Sequence, residues 1–303
     1  MKLTMILLLQ TIAVFWNVEN FFDYRSTEQI SGCNWTAGRF YRKAEGIGKV
    51  ILGLSDSCGR PPALVGLCEI DSPASLKAIV HSAVLEKYDY DFVHYDSPDK
   101  RGIDCALLYR GKAPLSSESI PITLDGQIVA TRSLLRVDFD SLSVMVVHLP
   151  SKRGGSREAQ RRRERVLEMI DSVARSSLGP LIVMGDFNEE AGGEGARELA
   201  YIKEIPPSGE GSIKFNGKWE KIDRCLGKGL RLSCEIACPD YLLTEDKNYG
   251  GKKPPRTNSG PRYLGGISDH LPLRIVIYSG ITLAPSEMIT SYTFGSRPYL
   301  SLY

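Results

Sequence analysis

Five short groups of polar residues, each placed directly after or within an apolar stretch, carry the residue types that phosphate or metal chemistry requires. They are Asn17 with Glu19, Glu69, His148, Asp186 with Asn188, and Asp269 with His270. Side chains at the ends of neighbouring strands converge on one crevice of a sheet. A single carboxylate after an apolar stretch is ordinarily only the start of a loop, so no group identifies a site alone. Their shared position predicts one site built from several strands.

The acidic members of these groups predict a metal cofactor. If Glu69, Asp186 and Asp269 converge, they repel one another by several kcal/mol at an effective dielectric constant near ~20, and a divalent cation or shared protons must relieve this. Oxygen ligands favour a hard cation over zinc. The sequence also lacks the His-x-x-x-His and Cys-x-x-Cys spacings that are typical of zinc sites. We therefore expect Mg²⁺ or Mn²⁺.

The elements that position these groups are predicted from apolar patterns. Six β-rich stretches predict strands: Thr11–Trp16, Leu64–Leu67, Cys105–Tyr109, Val144–His148, Leu181–Met184 and Leu273–Ile277. Between them, apolar residues recur at helical spacing over residues 40–54 and 166–173, which gives each helix one apolar face. This alternation predicts an α/β layered architecture.

Length and composition are those of one large globular domain: 303 residues, 42% hydrophobic and 24% charged. We expect this domain over residues 11–278, with a tail at 279–303. Residues 1–10 contain the apolar run Leu3–Leu9, which is either a signal-like segment lacking a small-x-small cleavage site or an extension of the first strand. The protein is therefore cytoplasmic or exported. A net charge of +2 gives no overall field for nucleic acid, and no feature demands a protein partner, so we expect a monomer.

Five motifs in chain order resemble those of the endonuclease/exonuclease/phosphatase superfamily of deoxyribonuclease-like phosphoesterases. They are Phe15-Trp16-Asn17-Val18-Glu19-Asn20, Leu67-Cys68-Glu69-Ile70, Val147-His148-Leu149-Pro150-Ser151, Gly185-Asp186-Phe187-Asn188 and Ser268-Asp269-His270-Leu271-Pro272. The region around Pro254, Arg256 and Gly265-Gly266 is similar to members from Bacteroidetes-type bacteria. The resemblance implies a four-layered α/β sandwich of two packed mixed β-sheets flanked by helices, with the active site between the sheets at one end.

The resemblance also implies a role for each matching residue. The metal ligands it implies are Glu69 as the principal one, with Asn17, Glu19 and Asp269, and Asn17 also lines the phosphate pocket. The catalytic residues it implies are Asp186 and Asn188, which position the attacking water, His270 with Asp223 behind its ring, and His148 with Asp104 as its supporting carboxylate. Either Asp186 or His270 is the general base, since coupled groups titrate together.

His148 and the basic residues near it bear on the substrate, and they leave several substrate classes open. His148 stands where deoxyribonuclease-like, sphingomyelinase-like and inositol-phosphatase-like branches carry histidine and the apurinic endonuclease branch carries tyrosine. After it, Lys152 and Arg153 are candidate phosphate contacts, and Arg256 is another, although basic loop residues are ordinarily solubilising. Arg101 is a candidate for the rim of the pocket. We expect a nuclease or related phosphodiesterase acting on DNA or RNA. The alternatives are a phosphomonoesterase, a sphingomyelinase-like lipid phosphodiesterase and a noncatalytic binding module.

Overall fold

The computed structural model describes residues 6–26, 35–151, 157–193 and 198–282. In chain order the strands are β1 (Ile6–Phe21), β2 (Leu64–Ile70), β3 (Asp91–His94), β4 (Asp104–Tyr109), β5 (Ser116–Ile120), β6 (Thr123–Leu124), β7 (Gln127–Ile128), β8 (Leu134–Asp138), β9 (Ser143–His148) and β10 (Leu181–Asp186). They continue with β11 (Lys203–Ile205), β12 (Ile213–Phe215), β13 (Lys218–Glu220), β14 (Asp223–Lys228), β15 (Arg231–Ile236), β16 (Thr244–Glu245), β17 (Lys252–Lys253), β18 (Asn258–Ser259), β19 (Arg262–Tyr263) and β20 (Leu273–Thr282). The α-helices are α1 (Ala37–Gly53), α2 (Pro73–Val80) and α3 (Arg157–Ser176), and short 3₁₀ turns cover Glu86–Tyr88 and Asp240–Leu242.

Two six-stranded sheets dominate these elements. The first has the order β15-β20-β1-β2-β4-β3 and the second β11-β14-β10-β9-β8-β5. Within them β1 runs parallel to β2, and β9 runs parallel to β10, whereas the other neighbours are antiparallel. Both sheets are therefore mixed. Each of the six predicted strand stretches falls within one of their strands, namely β1, β2, β4, β9, β10 and β20.

The alternation of side chains along the strands separates two cores. In β9, Val144 and Val146 belong to the core shared with the first sheet, whereas Met145 and Val147 belong to the core beneath α3. Helix α3 adds Val166, Leu167, Ile170 and Ala174 to that second core. Helices α1 and α2 join the first core from the other side. The layers are thus helices, sheet, sheet and helix, which confirms the predicted four-layered sandwich.

The helices begin at conventional caps. The Thr36 hydroxyl accepts from the Arg39 backbone N–H before α1, and the Ser72 hydroxyl accepts from the Ser75 N–H before α2. Pro73 occupies the first turn of α2, where its missing N–H removes no helical hydrogen bond. Within the described ranges, no helix has both the length and the apolar character needed to span a membrane.

The two central strands of the first sheet, β1 and β2, are irregular where the polar groups lie. Strand β1 shifts register after Asn17, and Glu19 and Asn20 there have φ angles of 48° and 47°. Strand β2 shifts register at Glu69, whose φ is 64°. Left-handed conformations of non-glycine residues cost on the order of 1–3 kcal/mol and persist where the surroundings enforce them. A hydrogen bond of 2.8 Å from Asn20 N to Glu69 Oε2 fastens the two irregular segments together.

Close pairing of β9 and β10 explains the glycine of the Gly-Asp-Phe-Asn motif. A Cβ on Gly185 would lie 2.2 Å from the carbonyl oxygen of Val147 on the neighbouring strand. We expect Gly185→Ala to lower the free energy of unfolding by about 1–3 kcal/mol, because the backbone must shift. Gly38→Ala is the matched control, since no atom lies within 4 Å of its Cβ position in α1. It should be neutral or stabilise by about 0.5–1 kcal/mol. Urea denaturation of both variants tests this, and equal midpoints would contradict it.

Candidate active site

A polar cluster joins the two sheets at the strand ends. Asn17 Nδ2 donates to Asp186 Oδ2 at 3.1 Å and to Glu69 Oε1 at 3.3 Å. His148 Nε2 lies 3.6 Å from Asp186 Oδ2 and 4.0 Å from Glu69 Oε1. These residues come from β1, β10, β2 and β9, so each sheet contributes one of the two carboxylates.

A histidine and aspartate pair forms the second part of the cluster. His270 Nδ1 lies 2.8 Å from Asp223 Oδ2, and both side chains are almost fully buried. The backbone on either side of the ring is also held: Trp16 Nε1 donates to the His270 carbonyl at 2.9 Å, and the His270 N–H donates to Ser268 Oγ at 3.0 Å. The ring is therefore fixed, with Nδ1 occupied and Nε2 left as its other functional atom.

The two histidines differ in protonation. Burial, followed by the positive charges of Arg132 and Arg101, lowers the pKa of His148 well below its usual value. Burial is the largest single effect and disfavours the charged form of His270, but the surrounding carboxylates of Asp223, Asp269 and Asp186 together outweigh it, and the pKa of His270 is raised well above its usual value. At neutral pH the site therefore holds one neutral imidazole and one imidazolium. Titratable groups driven apart in this way are suited to separate acid and base roles.

The site holds more carboxyl groups than its positively charged side chains neutralise, and the pKa values of two of these carboxyl groups are raised. Burial and then the charge of Asp223 raise the pKa of Asp186 to about 7, and burial and then Asp269 raise the pKa of Glu19 to about 7. Converging carboxylate oxygens at Glu69 and Asp186 are the donors that a hard divalent cation prefers. Ligand atoms of Asp186, Asp223 and His270 also lie within 4.8 Å of one another. A metal held there would compete with the bond between Asp223 and His270, so we favour the first arrangement.

All of this faces one cleft with a volume of about 930 Å³. Eight of the residues predicted to be catalytic or metal-binding line it: Asn17, Glu19, Glu69, His148, Asp186, Asn188, Asp269 and His270. Asp223 lies behind the His270 ring. The cleft continues past this cluster to three arginines, Arg101, Arg132 and Arg256, and to the hairpin residues Ile213 and Phe215.

Residues 11–279 match the model of the Endonuclease/Exonuclease/phosphatase family. The chain belongs to this family. Members of the endonuclease/exonuclease/phosphatase superfamily are hydrolases that act on phosphate esters. The resemblance expected from the sequence is confirmed.

Solved structures of family proteins share the fold. Humanized D. rerio TDP2 carrying 14 mutations has a TM-score of 0.57 and 18% identity, covering 89% of this chain and 99% of that one. A Bacteroides thetaiotaomicron endonuclease/exonuclease/phosphatase family protein has 0.57 and 12%, covering 90% and 98%. The mannosyl-6-phosphatase of the same organism has 0.56 and 12%, covering 89% and 99%. These identities support the fold alone. No curated protein sequence matches the chain significantly.

One expected contact of the family site is wrong. Asp104 does not support His148: its Oδ2 lies 3.2 Å from His94 Nε2, and its Oδ1 accepts from the Ser97 N–H at 2.8 Å. His148 Nδ1 has no partner among the described residues. Antiparallel pairing of β3 with β4 explains the difference, because it brings His94 beside Asp104.

The remaining family residues are held by neighbouring loops. Glu19 Oε2 accepts from the Thr257 N–H at 2.6 Å, and Asp269 Oδ2 pairs with Arg256 at 2.7 Å. Asn17 presents its amide nitrogen to the carboxylates, while its Oδ1 accepts from the Glu19 N–H. The metal-binding roles of these residues stay predictions. Lys152 and Arg153, expected to contact phosphate, lie outside the described residues.

Asn188 is fixed beside Asp186 by two bonds. Its backbone N–H donates to Asp186 Oδ1, and its Nδ2 donates to the Leu149 carbonyl, each at 2.8 Å. With a φ of 52°, Asn188 is another left-handed residue of the site. Its contacts leave the Asn188 side chain oriented along the cleft wall next to Asp186, the place from which it would orient a water.

Sequence reasoning missed several residues that line the cleft, among them Arg132 and Phe215. Arg132 lies in the loop before β8 and has no motif around it, so no local signal identified it. Phe215 ends β12, one strand of a hairpin whose turn is Asn216-Gly217, with φ angles of 47° and 80°. An Asn-Gly pair between short strands is a strong hairpin signal and would have located this element.

The raised pKa of Asp186 gives a stability prediction with a defined sign. Its folded-state pKa of about 7 exceeds the ordinary 3.8, so between these values the folded state binds more protons than the unfolded chain. Stability therefore falls as the pH rises through this window, and the cost is complete above it. We expect Asp186→Asn to stabilise the metal-free protein by roughly 2–4 kcal/mol at about pH 8 and much less near pH 4. Denaturation in chelator at both pH values measures this.

The control for that experiment is the same change where the shift is opposite. Asp138 has a lowered pKa because its hydrogen bonds from Ser143 and Arg136 outweigh the effect of burial. Asp138→Asn should therefore destabilise the protein at the higher pH. Destabilisation of both variants at that pH would show that the carboxylate of Asp186 carries no such cost.

Proposed function

We propose that the protein is a divalent-metal-dependent phosphodiesterase that cleaves nucleic acid by in-line attack of a water. The observation that carries this proposal is the meeting, at one cleft, of Asn17, Glu69 and Asp186 with the His270–Asp223 pair. The first group provides oxygen donors for a hard cation and a place for the water. The second provides an acid whose ring is held in place by its neighbours.

Each side chain of the site has a role in this chemistry, and Asp186 has two. Glu69 and Asp186 would hold Mg²⁺ or Mn²⁺, which when bound neutralises charge on the nonbridging phosphate oxygens. Asp186, a buried carboxylate bonded to the Asn188 N–H, takes the proton of the attacking water while Asn188 orients that water. The new P–O bond forms as the bond to the leaving oxygen breaks. Protonated His270 gives its Nε2 proton to that oxygen, and Asp223 keeps the ring charged and oriented.

The walls of the cleft favour a nucleic-acid phosphodiester. Arginines bind phosphate, and an aromatic side chain at a groove wall stacks on bases whatever the sequence. Arg101, Arg132 and Arg256 line the cleft, and Phe215 lines it while 48% exposed. The hairpin that carries Phe215 is anchored at its base, since the Leu271 N–H donates to the Ser212 carbonyl. These features suit a substrate larger than one phosphate group.

Removal of His270 tests the catalytic assignment. We expect His270→Ala to lower kcat by roughly 10²–10⁴-fold, because acid catalysis and charge stabilisation are lost together. The substrates are bis-p-nitrophenyl phosphate, plasmid DNA, RNA, sphingomyelin, inositol phosphates and mannose 6-phosphate. His81→Ala, an exposed histidine far along the chain at the end of α2, should keep the normal rate. Wild-type turnover in His270→Ala would refute the role.

The panel also separates the alternative functions. Metal-dependent cleavage of DNA or RNA supports the nuclease. Selective release of inorganic phosphate would indicate a phosphomonoesterase, the activity named for the Bacteroides mannosyl-6-phosphatase whose fold is similar. Selective release of phosphocholine would indicate a sphingomyelinase-like enzyme, and no hydrolysis of any substrate would favour a noncatalytic binding module.

Metal dependence is tested at Glu69. We expect chelator to abolish hydrolysis and Mg²⁺ or Mn²⁺ to restore it in the wild type. Glu69→Ala should need much more metal for half-maximal activity, because one of the two converging carboxylates is lost. Glu86→Ala, at an exposed acidic residue, is the control and should titrate normally. Full activity of Glu69→Ala in chelator without added metal would overturn the assignment.

A further inference from the structure

Two arginines of the cleft share one carboxylate. Arg132 Nη1 lies 3.2 Å from Asp99 Oδ2, and Arg101 Nε lies 3.4 Å from Asp99 Oδ1. Two guanidinium groups against one carboxylate leave one positive charge at this wall. An exposed pair of this kind would be unremarkable, but the Arg132 and Asp99 side chains are each only 6% exposed.

Arg132 is held rigidly and still has an unused donor. Its Nη2 donates to the Leu149 carbonyl at 2.6 Å, the same oxygen that accepts from Asn188 Nδ2. Its Nε is buried without a hydrogen-bond partner among the described residues. Burying a guanidinium with incomplete pairing is costly unless an anion completes its surroundings. Because of its hydrogen bond to the Leu149 carbonyl, the Arg132 guanidinium is already in position before a substrate binds.

The positive charge lies on one side of the catalytic cluster. Arg132 donates to the carbonyl of Leu149, the residue after His148, and Arg101 pairs with the same carboxylate as Arg132, so both arginines lie on the His148 side. On the other side Arg256 is paired with Asp269 at 2.7 Å, and its charge is balanced. Within the described part of the chain, the cleft wall next to His148 thus has two arginines that share one carboxylate, that of Asp99. The wall next to His270 has one arginine paired with one carboxylate.

We propose that Arg101 and Arg132 form a second phosphate subsite beside the scissile phosphate, on the His148 side. The preferred substrate then carries two phosphates in succession, as neighbouring phosphodiesters of a nucleic acid strand do. Planar guanidinium groups fit phosphate oxygens in bidentate fashion, and contacts of this kind position a strand without reading its sequence. This inference rests on the proposed function and adds that a bond flanked by a further phosphate is cleaved better than one that is not.

Matched nucleotide esters test the subsite. Thymidine 5′-(p-nitrophenyl phosphate) and thymidine 3′-(p-nitrophenyl phosphate) are each compared with the same ester carrying a phosphate on the remaining sugar hydroxyl. In the wild type we expect the second phosphate to raise kcat/KM by about tenfold or more for one of the two isomers, mainly through KM, as a charge-assisted hydrogen bond would. The advantage should fall to about threefold or less in Arg101→Gln and vanish in Arg132→Gln.

Three variants keep the test decisive. Arg101 has a half-exposed side chain, so Arg101→Gln reports even if Arg132→Gln fails to fold. Arg132→Lys keeps the positive charge but loses the planar guanidinium that binds phosphate through two donors. It should keep only part of the rise in kcat/KM that the second phosphate gives. Arg60→Gln, at an exposed arginine that pairs with Asp56 outside the cleft, should keep the full wild-type ratio.

The outcomes separate the subsite from the proposed function. No advantage of the second phosphate in the wild type, with His270-dependent hydrolysis of the singly phosphorylated esters intact, overturns the subsite and leaves the phosphodiesterase. An undiminished advantage in both Arg101→Gln and Arg132→Gln overturns it as well. Failure of the wild type to cleave any of the four esters or DNA overturns both. An advantage for bisphosphorylated inositols with none for nucleotides would assign the arginines to a different substrate class.

Discussion

The structure depends on collecting several carboxylates where two sheets meet. Asp186 and Asp223 are at most 2% exposed, and they repel each other strongly enough to help raise the pKa of Asp186 to about 7. The surrounding groups act against this charge: the Asn17 amide donates to two carboxylates, and His270 remains protonated beside Asp223. The negative charge that these groups leave unbalanced is the charge that a cation bound as proposed would neutralise. A site of this kind lowers stability in the absence of its ligand, as functional sites commonly do.

Backbone strain at the same place follows from the same requirement. Of the seven non-glycine residues with positive φ in the described ranges, four are Glu19, Asn20, Glu69 and Asn188, all of which line the cleft. A regular strand would alternate its side chains and could not direct neighbouring polar residues to one end of the sandwich. Lys43 of α1 stabilises the irregular end of β1, because its ammonium donates to the Glu19 carbonyl and to the Thr257 hydroxyl.

The sequence predicted the parts of the molecule that local patterns specify. Apolar stretches such as 144–148 and 181–184 form inner strands, and a polar residue at the end of such a strand has only the common edge of the sheet to occupy. Asp104 also lies on an inner strand, but its partner depends on how β3 returns beside β4, which no local pattern encodes. Arg132 reaches the cleft from an irregular segment, where the path of the chain is set by tertiary contacts alone. Phe215 lies at the end of β12, whose Asn-Gly turn is a local signal, but tertiary contacts set where this hairpin meets the cleft.

This division between strands and loops explains how one fold accommodates different substrates. The residues proposed to do the chemistry come from β1, β2, β9, β10 and β14 and from the segment before β20, all within the packed sandwich. The residues proposed to select the substrate come from the β3–β4 and β7–β8 loops and the β12–β13 hairpin. A loop can change its arginines without disturbing the carboxylates, since function resides in sites carried on a shared fold. TDP2 and a mannosyl-6-phosphatase, at 18% and 12% identity to this chain, have a similar fold. We attribute the proposed discrimination among phosphate esters to the charge imbalance between the two cleft walls rather than to the catalytic set.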